Sequence, residues 1–199
     1  MSLESRRVGL FGGTFDPVHN AHLALAHAAM QELRLDSVRW IPAGQPWQKA
    51  RTITDAVHRE AMVRLATAGE PRFIVDRTEI ERQGPSYTLD TVKALMAAEP
   101  DTQWFLIIGQ DQYAGLHTWQ GWQELVGLVI LAVANRPGDV RPVHPDVVRQ
   151  RHRAVPLPML DISASDIRRR VMAHEDISAL VPPAVAQYIE SNGLYRVTS

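Results

Sequence analysis

Two histidines three residues apart, His19 and His22, follow a glycine pair, Gly12 and Gly13, in the run Gly9-Leu-Phe-Gly-Gly-Thr-Phe-Asp-Pro-Val-His-Asn-Ala-His22. Glycines let backbone approach an anion closely, and a helix starting at the histidines presents unpaired N–H groups with a favourable dipole. A strand, a glycine turn and a helix start in that order suit phosphate. Two plainer readings stand beside it. As metal ligands the pair needs a third donor, for which Asp16 is the nearest candidate. As packing residues the histidines simply cap and fill a helix start. The run is not G-x-G-x-x-G, which weakens a dinucleotide-dehydrogenase reading, and no G-x-x-x-x-G-K-[ST] occurs, so a P-loop is excluded.

Later stretches carry further candidates. Ser163-Ala-Ser-Asp166 matches a capping box with a variant third-position aspartate, so Ser163 and Ser165 open a helix. Arg168 then sits near its first turn, where a cation is unfavourable unless an anion is shared; a surface salt bridge is the alternative. Gly84-Pro-Ser-Tyr-Thr-Leu-Asp-Thr91 is a tight turn entering a helix capped by Thr88, a cup of N–H groups suited to a carboxylate, with an ordinary helix N-terminus as the alternative. Lys49 lies on a polar loop and Arg136 in a turn after an apolar strand, positions equally natural for solvated residues. Gly109 and Asp111 follow another apolar strand, where turn chemistry is the plain explanation. Trp47 and Trp122 read as packing residues.

The elements that must position these groups alternate between strand and helix. Strands are expected at Arg7–Phe11, Ser37–Ile41, Phe73–Asp76, Trp104–Ile108, Leu128–Ala134 and Ala154–Leu157. Helices are expected at about His19–Leu33, where Leu23, Ala26, Met30 and Leu33 recur at helical spacing, at Asp55–Thr67, from Thr88 to before Pro100, at Trp119–Val126, from Ser163 to about His174, and from Pro182 until Gly193. Gly109-Gln-Asp111 reads as a loop, and Asp139–Arg153, rich in proline, histidine and arginine, as a solvated connection. Apolar strands alternating with helices imply an α/β fold with a mostly parallel sheet covered on both faces. Its ligand site lies beyond the carboxyl ends of the strands, where the loops after Phe11, Ile41, Ile108 and Ala134 converge.

Composition narrows the classes. The 199 residues suit one domain, and 45% hydrophobic with 22% charged residues is enough to build a core. A net charge of −1 gives no general reason to expect nucleic acid or an anionic membrane as partner. Without cysteine there is neither a disulfide nor thiolate chemistry. The opening Met-Ser-Leu-Glu-Ser-Arg-Arg has no apolar leader core, and no run approaches 18 apolar residues, so a soluble cytoplasmic protein is expected.

With these residues in hand, the chain resembles nucleotidyltransferases carrying a G-[GST]-F-D-x-x-H-x-G-H signature, and most of all the bacterial nicotinate-nucleotide adenylyltransferases. Ile162-Ser-Ala-Ser-Asp-Ile-Arg168 matches their second signature, I-S-x-T-x-I-R. Ala21 stands at the usual glycine and Ser165 at the usual threonine. The resemblance runs from Val8 to about Arg196. It implies one Rossmann-like domain over residues 1–199, with a small C-terminal helical portion from about 160. The implied reaction transfers AMP from ATP to nicotinate mononucleotide, giving deamido-NAD and pyrophosphate, with Mg²⁺ as cofactor.

By resemblance, ATP meets Gly12, Gly13, Thr14, Phe15, His19, His22, Gly109, Asp111, Ile162, Ser163, Ser165 and Arg168. His19, His22, Lys49 and Arg168 carry catalysis. The acceptor meets Asp16, Lys49, Ser86, Tyr87, Thr88, Trp119 and Arg136, with Tyr87 and Thr88 backbone on the acid group and Trp119 stacked on the pyridine ring. The histidines are expected as neutral donors in the free protein and more as imidazolium in the ATP complex. A nicotinamide mononucleotide or phosphopantetheine acceptor, or a non-catalytic nucleotide sensor, is the alternative; His19 stands where the phosphopantetheine enzymes usually have threonine. Association into a homo-oligomer is left open.

Overall fold

The computed structural model describes residues 5–45, 53–135, 142–157 and 160–196. In chain order the elements are β1 (Arg6–Gly13), α1 (Asn20–Glu32), β2 (Ser37–Pro42), α2 (Ala56–Thr67), β3 (Phe73–Val75), α3 (Thr78–Glu81), α4 (Thr88–Ala98) and β4 (Thr102–Ile108). There follow α5 (Gln110–Ala114), a 3₁₀ turn (Leu116–Thr118), α6 (Trp122–Leu128), β5 (Ile130–Asn135), α7 (Pro145–Val148), β6 (His152–Pro156), α8 (Ala164–Met172) and α9 (Pro183–Ser191).

The strands form one six-stranded sheet in the order β3-β2-β1-β4-β5-β6, with every pairing parallel. The chain winds outward from β1 through β2 to β3, then returns to lay β4 on the other side of β1. That reversal opens a crevice beyond the carboxyl ends of β1 and β4. β4 shows why the sheet is double-faced. Phe105 and Ile107 point into a core shared with α1, α8 and α9, whereas Trp104, Leu106 and Ile108 point into one shared with α4 and α6. This period-2 alternation, apolar on both faces, is what a parallel strand needs. Gly9 sits where a Cβ would come within 2.8 Å of Ile107 and 2.9 Å of Leu35.

Several local expectations are corrected. Gly12 and Gly13 end β1, in register with Ile41 and Pro42, instead of forming the turn. The turn falls on the next residues, where Phe15 takes φ 49° and Asp16–Pro17 is a cis peptide. Gly109-Gln-Asp111 opens α5 and is not a loop. The helix expected from Trp119 starts at Trp122, because Gly121 adopts a left-handed φ of 65° and Leu89 fills the space its side chain would need. Thr88 is the first residue of α4, behind Tyr87 at the cap position. Within the supposed solvated connection lies α7, where Val147 is fully buried. Trp122 is a core residue as expected; Trp47 lies outside the described residues.

Candidate active site

At the crevice between β1 and β4 lies a cleft of about 750 Å³. Its wall takes Gly12, Gly13, Thr14, Phe15, Asp16, His19 and His22 from the first signature and Gly109 and Asp111 from the start of α5. Ser86, Tyr87, Thr88 and Trp119 come from the acceptor candidates, and Ile162, Ser163, Ser165 and Arg168 from the second signature. Stretches nearly 150 positions apart in sequence thus meet in one place. Lys49 and Arg136 lie outside the described residues.

His19 takes the cap position of α1 with extended backbone (φ −148°, ψ 171°). Its backbone N–H donates to Nδ1 of His22 at 3.1 Å. An N–H can only donate, so His22 Nδ1 is an acceptor and the ring hydrogen of the neutral imidazole sits on Nε2. The rings of His19 and His22 stack, with centroids 3.6 Å apart. The edge-to-face neighbour of His22 is Phe15 at 5.1 Å, and Phe11 and Trp40 pack behind Phe15. A Cβ at Gly13 would lie 3.0 Å from the Phe15 ring, a tight contact. Ala21, at the usual glycine, is buried and places its methyl group in the cleft wall.

The second signature behaves as a helix start should. Ser163 Oγ accepts from the Asp166 backbone N–H at 3.2 Å. The Asp166 carboxylate turns to Arg169 and Arg170 instead of back to Ser163, and their hydrogen bonds, Arg169 first, hold it below the usual carboxylate range. Arg168 goes the other way: its Nη1 donates to the backbone carbonyl of Asp16 at 2.7 Å, joining the two signatures. The Asp16 carboxylate is itself buried, accepting from Tyr195 Oη at 2.7 Å and from the Thr54 N–H at 3.4 Å.

On the acceptor side, Ser86 Oγ accepts from the Gly44 N–H at 3.1 Å, and the Ser86 N–H donates to Gln45. The loop after β2 is thereby buttoned to the start of α4. Beneath it Glu79 accepts from Thr91 Oγ1 at 2.9 Å. Burial pushes its carboxyl above the ordinary value of 4.5, against the lowering effect of the Thr91 bond. Gly44 touches this layer so closely that a Cβ would fall 2.1 Å from the Glu79 carbonyl. Among the described residues no side chain makes a capping hydrogen bond to α4.

Arg59, Glu79, Gly44 and Tyr195 escape a reading of the sequence. Arg59, only 1% exposed, donates to the carbonyls of Thr54 (2.7 Å), Thr14 (2.9 Å) and Gly44 (3.1 Å). One guanidinium therefore braces both loops at the cleft mouth. Its signal was its place on the apolar face of α2, about one turn before both Met62 and Val63. Tyr195 gives no comparable signal.

Comparisons with known proteins agree with this geometry. The cytidylyltransferase-like family matches residues 10–170. A protein of Methylibium petroleiphilum named "Probable nicotinate-nucleotide adenylyltransferase" is 48% identical over 196 residues, covering 96% of this chain and 92% of that protein. One of the same name in Bordetella petrii is also 48% identical, covering 96% and 100%. Among solved structures, the Plasmodium falciparum nicotinic acid mononucleotide adenylyltransferase complexed with NaAD superposes with a TM-score of 0.81 over 96% of this chain and 97% of that one. At 18% identity that likeness speaks to the fold alone. The parallel sheet, the two signatures meeting across its crevice and the near full-length kinship lead to one conclusion: the chain belongs to the nicotinate-nucleotide adenylyltransferases, a family of nucleotidyltransferases.

Proposed function

We propose that this protein transfers AMP from ATP to nicotinate mononucleotide. The observation that carries the reading is one cleft walled on one side by His19, His22 and Arg168 and on another by the Ser86–Thr88 turn and Trp119. A mononucleotide phosphate is already an anionic nucleophile at neutral pH, so no strong general base is needed. One of its oxygens bonds to the α-phosphorus of ATP while the bond from that phosphorus to the α,β-bridging oxygen breaks, and pyrophosphate leaves. The protein's task is to hold two polyanions in line and stabilise charge on the transferred and leaving groups.

In this reading the Nε2–H of His22 donates to a phosphate oxygen, with its ring angle held by Phe15 and the His19 backbone. Arg168 supplies fixed positive charge. The first N–H groups of α4 at Tyr87 and Thr88 receive the nicotinate carboxylate, and the indole of Trp119 lies against the electron-poor pyridine ring. Lys49 and Arg136 are further phosphate candidates. Asp16 and Glu79 spend their carboxylates on protein hydroxyl and N–H groups. The wall therefore fits a Mg²⁺ ion that arrives on ATP, held by phosphate oxygens and water, better than a caged one. Bound that way, Mg²⁺ would neutralise charge on the triphosphate.

Among the described residues no helix is long and apolar enough to cross a membrane. A cytoplasmic setting goes with substrates that are intracellular nucleotides. The test is pyrophosphate release in the presence of Mg²⁺, with the product identified by mass. Release that needs both ATP and nicotinate mononucleotide and yields the dinucleotide supports the reading. ATP binding without turnover on any mononucleotide would make the protein a nucleotide sensor instead.

A further inference from the structure

The C-terminal portion grips the first signature at points far from it in sequence. Asn20, the first residue of α1, donates its backbone N–H to Leu180 at 2.9 Å and its side-chain amide to Ala179 at 3.1 Å. Beyond α9 the chain turns at Gly193 (φ 60°) and at Tyr195 (φ 63°), which brings the Tyr195 ring back over the signature. There its hydroxyl donates to Asp16 Oδ1 at 2.7 Å, across 179 positions of chain. Asp16 stands three residues before His19, and its carbonyl is the one Arg168 holds at 2.7 Å. Asp16 as a whole is 2% exposed.

From this arrangement we infer that Tyr195 is a positioning residue for the reaction, acting through Asp16 to set the loop that aims His19 and Arg168 at the phosphates. The inference rests on the adenylyl-transfer reading. A buried carboxylate next to a site for polyanions needs a donor that stays a donor. Burial and the adjoining Asp16 carboxylate push the Tyr195 phenol upward from its ordinary range, so it keeps its proton at any physiological pH. Without that hydroxyl the Asp16 carboxylate loses its bond from Tyr195, and the backbone carrying the Arg168 contact is free to shift. A misplacement of this kind is felt in the transition state more than in ground-state binding.

The experiment compares Tyr195→Phe with Tyr188→Phe. Tyr188 lies on α9 and its hydroxyl meets His58 Nδ1 at 2.9 Å, away from the signature loop. Tyr195→Phe should lower kcat about tenfold or more with little change in either KM, while Tyr188→Phe leaves kcat as it was. In the Asp16→Asn background, Tyr195→Phe should add little further loss, since both act through one contact. Wild-type kcat in Tyr195→Phe, equal losses in both tyrosine variants, or losses that multiply with Asp16→Asn would each overturn the inference. A readout on the wild-type protein covers the case in which Tyr195→Phe does not fold or the wild type shows no turnover. The Tyr195 hydroxyl proton should exchange slowly by NMR and shift when a non-hydrolysable ATP analogue binds; a shift unmoved by the analogue overturns the inference. Absence of wild-type turnover would instead remove the adenylyl-transfer reading itself.

Discussion

The backbone N–H of His19 donates to Nδ1 of His22 at 3.1 Å while the two rings stack at 3.6 Å. This pairing makes the two rings unequal as proton acceptors. Adding a proton to His22 would put hydrogen on Nδ1 and break the bond from His19. Two stacked imidazolium rings would also repel, so the pair accepts at most one proton readily. In the adenylyl-transfer reading, any ATP-linked protonation is therefore expected at His19, with His22 remaining a neutral Nε2–H donor. Nitrogen-15 NMR should show an acceptor-type Nδ1 at His22 with and without ATP. Protonation of His22 on ATP binding would contradict this. His22→Ala should lower kcat about 100-fold or more while ATP affinity changes far less.

Glu79 makes stability depend on pH in a direction opposite to that of a salt-bridged carboxylate. Burial raises its folded value above the ordinary 4.5, so the folded state binds the proton more tightly than the unfolded chain. The stability this contributes is complete below the ordinary value and is lost as pH rises through the folded one. Glu79→Gln keeps an acceptor for Thr91 and cannot ionise. Urea midpoints measured from pH 4 to 8 should show the variant gaining on the wild type as pH rises. A constant difference would show that Glu79 does not titrate in that window.

Gly44→Ala forces a methyl group against the Glu79 carbonyl, which lies 2.1 Å from the position of a Cβ. Relief requires the loop after β2 to leave Ser86. The expected cost is about 1–3 kcal/mol, read by thermal melting, together with a higher KM for the mononucleotide and a nearly unchanged KM for ATP.

Arg59→Met keeps much of the buried stem and removes the donors to Thr54, Thr14 and Gly44. Leaving three carbonyls without that partner should cost about 3 kcal/mol, or roughly 6–12 °C in Tm for a chain of this size. A melting point within a degree of the wild type would show that water or relaxation replaces the guanidinium.

The parallel sheet was legible because its central strands, β4 and β5 above all, are apolar runs, and the cleft because strand ends converge at a known place. The signatures were legible because both lie at helix starts, where caps and dipoles restrict residue choice. What stayed hidden depends on contacts between distant segments. Tyr195 and Asp16 meet through two left-handed turns near the C-terminus, and local propensity carries no trace of such a meeting. Gly109-Gln-Asp111 looked like turn residues because α5 is only one turn long and too short for a helical period. The start of α6 is hidden for a different reason: Trp119 and Trp122 share a helical spacing, and the left-handed Gly121 between them interrupts it.

The most direct test of the account is kcat/KM for nicotinate mononucleotide against nicotinamide mononucleotide, measured as pyrophosphate release with ATP and Mg²⁺. If the N–H groups at the start of α4 receive the carboxylate, as proposed, kcat/KM is higher for the acid than for the amide. Preference for the amide, or no turnover with either, would contradict it.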